Sequence, residues 1–210
     1  MSVKSRHRKG FAFFAWRKPT MHTLEPFSNW LKYYDSSLDD QSPFYGKEYN
    51  YDRYSETIYG YYIDPAWDAF GSETLYLKIL YIDYHERVAI IELLGEWNDT
   101  LYNDIMELKR NIIEPLLSEG IHKFILLGEN ILNFHGADNC YYEEWQQESA
   151  EEGGWIAAVS FPEFVRSEMR RFQLHLHIEM NDDLTIDNWR TLHPLRLYQL
   201  VEERIQRRLS

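Results

Sequence analysis

From residue 73 onward the chain alternates between short apolar runs and stretches of helical period. ETLYLKILYID (73–83) and RVAIIELLG (87–95) are strand-like runs separated only by Tyr84, His85 and Glu86. So short a connection predicts antiparallel neighbours. In WNDTLYNDIMELKRNIIEPLLSEG (97–120), Leu101, Ile105, Leu108, Ile112 and Leu116 recur every three or four residues and form one apolar helix face. Asn98 or Asp99 is positioned to cap its start, and Gly120 follows its end. Pro115 lacks an N–H and clashes with the preceding turn, so a kink or break is expected near residues 111–114.

HKFILLGE (122–129) is a near-continuous apolar run, as in a strand buried on both faces. DNCYYEEWQQESAEEGG (138–154) reads as a helix stopped by Gly153 and Gly154, and WIAAVS (155–160) as another buried strand. FPEFVRSEMRR (161–171) is a short helix with Pro162 at its first turn. FQLHLHIEM (172–180) alternates like a half-buried strand, with Phe172, Leu174, Leu176 and Ile178 on one face. The end, 193–210, is a helix with Leu197, Leu200, Val201, Ile205 and Leu209 on one side. Arg204, Arg207 and Arg208 suit its negative C-terminal end. The order is β-β-α-β-α-β-α-β-α. The fold class is therefore α/β: a mixed sheet, hairpin first and parallel strands after, with helices packed on it.

Residues 1–72 sustain neither period. The span 35–71 is rich in Tyr, Asp, Ser and Gly, yet too aromatic for a disordered chain. It is expected to be an extended arm whose rings dock on the domain (73–210) or on a partner subunit, making a homodimer plausible. The competing reading is a Tyr-rich surface loop. The net charge of −12 argues against nucleic-acid binding, although residues 1–18 hold six Lys and Arg and no acid. That basic start, with Phe11, Phe13, Phe14 and Trp16, could lie on an anionic membrane surface. A tail without that role, or a start at Met21, is the reading favoured. GFAFFAW (10–16) is too short to span a bilayer and lacks a signal-peptide cleavage site. Cys140 is the only cysteine, which fits a cytoplasmic protein and excludes multi-cysteine zinc sites.

VAIIELLGEW, GIHKFILLGENILNFHGAD and EEGGWIAAVSFPEFVRSEMRRFQLHLHI follow one another as strand, Gly and helix landmarks over about residues 74–180. In this order they resemble the STAS domain of anti-sigma-factor antagonists and sulfate-transporter tails. In antagonists of that family, the loop matching FHGAD carries a Ser that a partner kinase phosphorylates. Here His135, Gly136 and Ala137 offer no hydroxyl, and the strand-end acid is displaced to Glu129. The resemblance thus implies a protein-binding surface without the phosphoswitch, formed by Glu129, Asn130, His135 and Asp138. Asp138 doubles as the cap of the following helix.

Catalytic patterns are few. His175, His177 and Glu179 share one strand face and make a weak metal candidate, although simple alternation also explains them. Glu143, Glu144, Glu148, Glu151 and Glu152 spread over a helix surface, as a solvated acidic face would. His135 near Cys140 lacks a third residue to orient it, and buried filler is the commoner role for a lone cysteine. No phosphate-binding Gly-rich loop, G-x-S-x-G or H-E-x-x-H occurs. The expectation is a non-enzymatic regulatory interaction module with a protein partner and no cofactor. The alternative is a binder of small apolar ligands or lipids, with the aromatic arm as lid.

Overall fold

The computed structural model describes residues 24–209. The expected membrane contact of residues 1–18, the choice of Met21 as start and the side chain of Leu209 lie outside the described residues. The sheet forms from β3 (Leu75–Asp83), β4 (Val88–Asn98), β5 (Lys123–His135) and β6 (Trp155–Val159) in that spatial order. β3 and β4 are antiparallel; β4, β5 and β6 run parallel. A two-stranded ribbon, β1 (Thr57–Ile58) with β2 (Tyr61–Tyr62), stands apart in the arm. The mixed α/β sheet expected from the hydrophobic pattern is what forms.

Strand alternation divides the core. Ala89, Ile91, Phe124, Leu126 and Ile156 face one way, against the two crossover helical segments and α5 (Glu163–Arg171). Val88, Ile90, Ile125, Leu127 and Val159 face the other, against α6 (Pro194–Leu209) and the arm's Trp30. The buried strands carry apolar residues on both faces because both are covered.

The first crossover is not one continuous helix. It runs as α1 (Asp99–Tyr102), α2 (Asp104–Leu108), a π-helical turn at Lys109–Ile113, and α3 (Glu114–Ser118). Asn98 caps α1 by accepting the Leu101 N–H. Asn103 is left-handed at φ 54°, which rotates Leu101 off the apolar face and leaves it 73% exposed. The π turn lies just before Pro115. There the Glu114 N–H reaches the Lys109 carbonyl, so the ladder re-registers where proline has no N–H.

Two other expectations are corrected. FQLHLHIEM is not a strand: Leu174–Leu176 is a 3₁₀ turn entered through left-handed Gln173, and pairing with β6 shrinks to one Ala157–Glu179 bridge. Leu176, expected to be inward, is 63% exposed. The supposed loop after HKFILLGE is strand, because β5 continues to His135 alongside the extended β4.

The arm (24–72) has little regular structure but contributes Trp30, Phe44, Ile58, Ile63, Trp67 and Phe70 to the buried core. It crosses the outer edge of β3, where Asp68 and Leu77 exchange backbone hydrogen bonds of 2.8 and 3.0 Å. An exposed edge strand invites pairing with other chains, and this contact covers part of it.

Candidate functional site

Two buried charges interrupt the apolar pattern of the hairpin. Lys78 lies in LYLKILYID and Glu92 in VAIIELLGEWN, and the register sets them directly opposite each other. Cross-strand partners share a face, here the face beneath the arm. Each nevertheless finds other partners.

Lys78 is the floor of a cavity of about 360 Å³ between β3 and the arm. Its Nζ donates to the Tyr49 hydroxyl (2.6 Å) and to Asp68 Oδ2 (3.2 Å). Tyr49 donates to Asp68 Oδ1 at 2.8 Å, and Lys47 Nζ pairs with the same oxygen at 2.7 Å. Asp68 is fully buried. Burial pulls the Lys78 ammonium below its ordinary value, while the Asp68 charge opposes that shift. Burial, then Asp68, pushes the Tyr49 phenol up. The walls come from the arm: Tyr51, Tyr54, Leu31 and Ala66, with Glu25, Asp35 and Asp64.

Glu92 is 2% exposed. It accepts the Phe27 N–H at 2.8 Å and meets Asn130 Nδ2 at 3.3 Å and Arg190 at 3.4 Å. Arg190 also pairs with Glu129, which accepts the Trp189 Nε1–H at 2.7 Å. Desolvation raises Glu92 to about 7, against the Phe27 and Arg190 contacts that favour the charge. Asp99 is likewise raised by burial to about 6, despite hydrogen bonds from Tyr142, Ile105 and Trp97.

A pH dependence follows from these two groups. Between their ordinary values (4.5 and 3.8) and about 7 and 6, the folded protein keeps protons that the unfolded chain has released. The resulting stability is fully present below the ordinary values and is lost as pH rises through the folded ones. Thermal unfolding should therefore show a melting temperature that falls from roughly pH 4 to 7. Glu92→Gln, which still offers an oxygen to Phe27, should flatten the upper part of that decline. An unchanged profile in that variant would contradict the assignment.

The expected binding residues divide between places. Glu129 and Asn130 belong to the Glu92–Arg190 cluster. His135 lies at the far end of β5, bonded to Glu96 (3.3 Å) and Asn133 (2.9 Å). Asp138 is exposed and accepts the Cys140 N–H at 3.2 Å at the start of α4 (Cys140–Glu151), whose N-cap is Asn139. Glu129, Asn130 and His135 are on strand β5, so the four residues do not lie on one loop. Cys140 is exposed rather than buried filler, and its hydrogen bond to Asp138 raises the thiol instead of lowering it. His135 bonds elsewhere.

His175, His177 and Glu179 line one cavity of about 380 Å³, from a 3₁₀ turn and the segment after it rather than from a strand. His177 pairs with Asn139 and Glu179 with Arg208. Among the described residues, no group of three His, Cys, Asp or Glu is arranged to hold a metal. The acidic helix surface is only partly solvated. Glu144 and Glu148, with Glu114, clamp the fully buried Lys109 at 3.0–3.2 Å. Among the described residues, no helix is long and apolar enough to cross a membrane.

Sequence reasoning missed Asp68, Lys78, Glu92 and Arg190. The available signal was a charge flanked by apolar residues, Lys78 between Leu77 and Ile79 and Glu92 between Ile91 and Leu93, in two strands expected to pair. No family model matches the chain, and no curated protein matches it.

Proposed function

We propose that this protein binds a small ligand in the cavity between its aromatic arm and β3. One observation carries the reading: the arm and β3 enclose a space of about 360 Å³ lined by Lys78 and Tyr49, whose polar ends are fixed by the buried Asp68 behind them. Ligand sites combine apolar and aromatic walls with a few fixed polar anchors. The arm then acts as a standing wall. Lys78, Tyr49 and Asp68 are engaged with one another, which suits binding rather than turnover.

The sheet order, hairpin first and parallel strands after, supports a STAS-like reading of the domain. The single Glu179 bridge stands where that resemblance expects another strand. The interaction-module reading draws less support from the geometry, since Glu129 and Asn130 are occupied by internal partners.

A thermal-shift screen of small molecules on the full chain, run beside Ala66→Trp, tests the proposal. Ala66 lines the cavity, so tryptophan there should fill it. At least one compound should stabilise the wild type and leave the variant unaffected. Compounds that act equally on both proteins, or on neither, would contradict the site.

A further inference from the structure

We propose that the ligand of the arm cavity is a small organic ammonium ion, of the quaternary or protonated-amine class. The inference rests on the ligand-binding reading and adds the ligand's charge.

Three phenol rings, Tyr49, Tyr51 and Tyr54, come from one six-residue stretch and line the same space. The Tyr49 and Tyr51 centroids are 6.4 Å apart at 35°, a splayed pair rather than a closed stack. Aromatic faces carry negative potential and attract cations that shed water easily. Tyr49 already does so, since Lys78 Nζ lies 3.9 Å from its ring centroid.

The charges agree. Glu25, Asp35 and Asp64 line the cavity, so among the described residues three carboxylates face one ammonium, that of Lys78. Lys78 is itself bonded to Asp68 and to the Tyr49 hydroxyl, which leaves it poorly placed to anchor an incoming anion. Asp35 and Asp64 are held in place by local bonds. Asp35 Oδ1 accepts the Ser37 N–H and hydroxyl at 2.9 and 2.8 Å, and Asp64 Oδ1 accepts the Ala66 N–H at 2.8 Å. The exposed Tyr51 phenol registers the same field: after burial, the charges of Asp64, Asp35 and Asp68 push it up. A field that opposes a phenolate favours a cation. An inorganic ion prefers a shell of oxygens, whereas ring faces mixed with separated carboxylates suit an alkylated ammonium.

The test is calorimetric titration of the full chain with three probes of similar shape: choline, the neutral 3,3-dimethylbutan-1-ol and the anionic 3,3-dimethylbutanoate. Choline should bind at least about tenfold tighter than either analogue, and Tyr51→Ala and Asp64→Asn should each weaken it several-fold. Tyr51 is 60% exposed, so its variant should keep its fold, which an unchanged melting curve would check. Equal or tighter binding of the alcohol or the carboxylate, lost in Ala66→Trp, would overturn the cation assignment and leave the cavity reading standing. Failure of all three probes would also overturn it. If the thermal-shift screen then found no compound that separates wild type from Ala66→Trp, the cavity reading would fall as well. A trimethyllysine peptide that binds more than about tenfold tighter than choline would overturn the free small-molecule assignment.

Discussion

Asp68→Asn is expected to cost about 3–5 kcal/mol of stability, the usual penalty for removing one partner of a buried ion pair. Asp68 is fully buried and holds Lys78, Lys47 and the Tyr49 hydroxyl together. The Lys78 side chain is only 9% exposed, so little of it is hydrated when the carboxylate is lost. Lys47 is about a third exposed and can rehydrate by extending its stem. The expected cost therefore comes mainly from Lys78. The double variant Asp68→Asn/Lys78→Met should recover much of it, because an apolar side chain in place of a buried charge leaves nothing unpaired. Urea unfolding of the three proteins measures this. A loss below about 1 kcal/mol would show that water reaches Lys78.

Trp30→Ala should be comparably damaging, at about 3–5 kcal/mol. Trp30 is 2% exposed. Its ring meets Phe27 at 5.3 Å and Trp189 at 5.5 Å, edge to face, and its Nε1 donates to the Leu192 carbonyl at 3.0 Å. Alanine would open a cavity at the seam between arm and sheet and orphan that carbonyl. Trp30→Phe should fall between, since it keeps most of the packing and loses the hydrogen bond. Amide hydrogen exchange should show the loss spreading to Phe27, whose N–H is tied to Glu92. Unchanged protection there would mean that the arm holds on without Trp30.

The sheet was legible because its strands are covered on both faces and so read as apolar runs bounded by Gly, as in HKFILLGE before β5 ends. The segment 172–180 was misread because alternation is only local evidence. Gln173 in a left-handed conformation turns the chain before the pattern can be used; Leu174 is buried from a 3₁₀ turn and Ile178 from the segment that follows it. Asn103 had the same effect on Leu101. Pro115, by contrast, announced its disturbance, because a missing N–H has few structural solutions.

The site was harder to read. Asp68 and Lys78 are ten residues apart and meet only because the arm folds back along β3. Arg190 and Glu92 are separated by 98 residues. No periodicity encodes such pairs. The aromatic richness of 35–71 did signal docked rings, but it could not show that Tyr49, Tyr51 and Tyr54 would share one cavity.

The most direct measurement is native mass spectrometry of the full chain, purified gently and compared with Ala66→Trp prepared in parallel. The account predicts a stoichiometric small-molecule adduct on the wild type, released by mild activation and missing from the variant. An adduct retained equally by both proteins would place its binding elsewhere and contradict the arm cavity as the functional site.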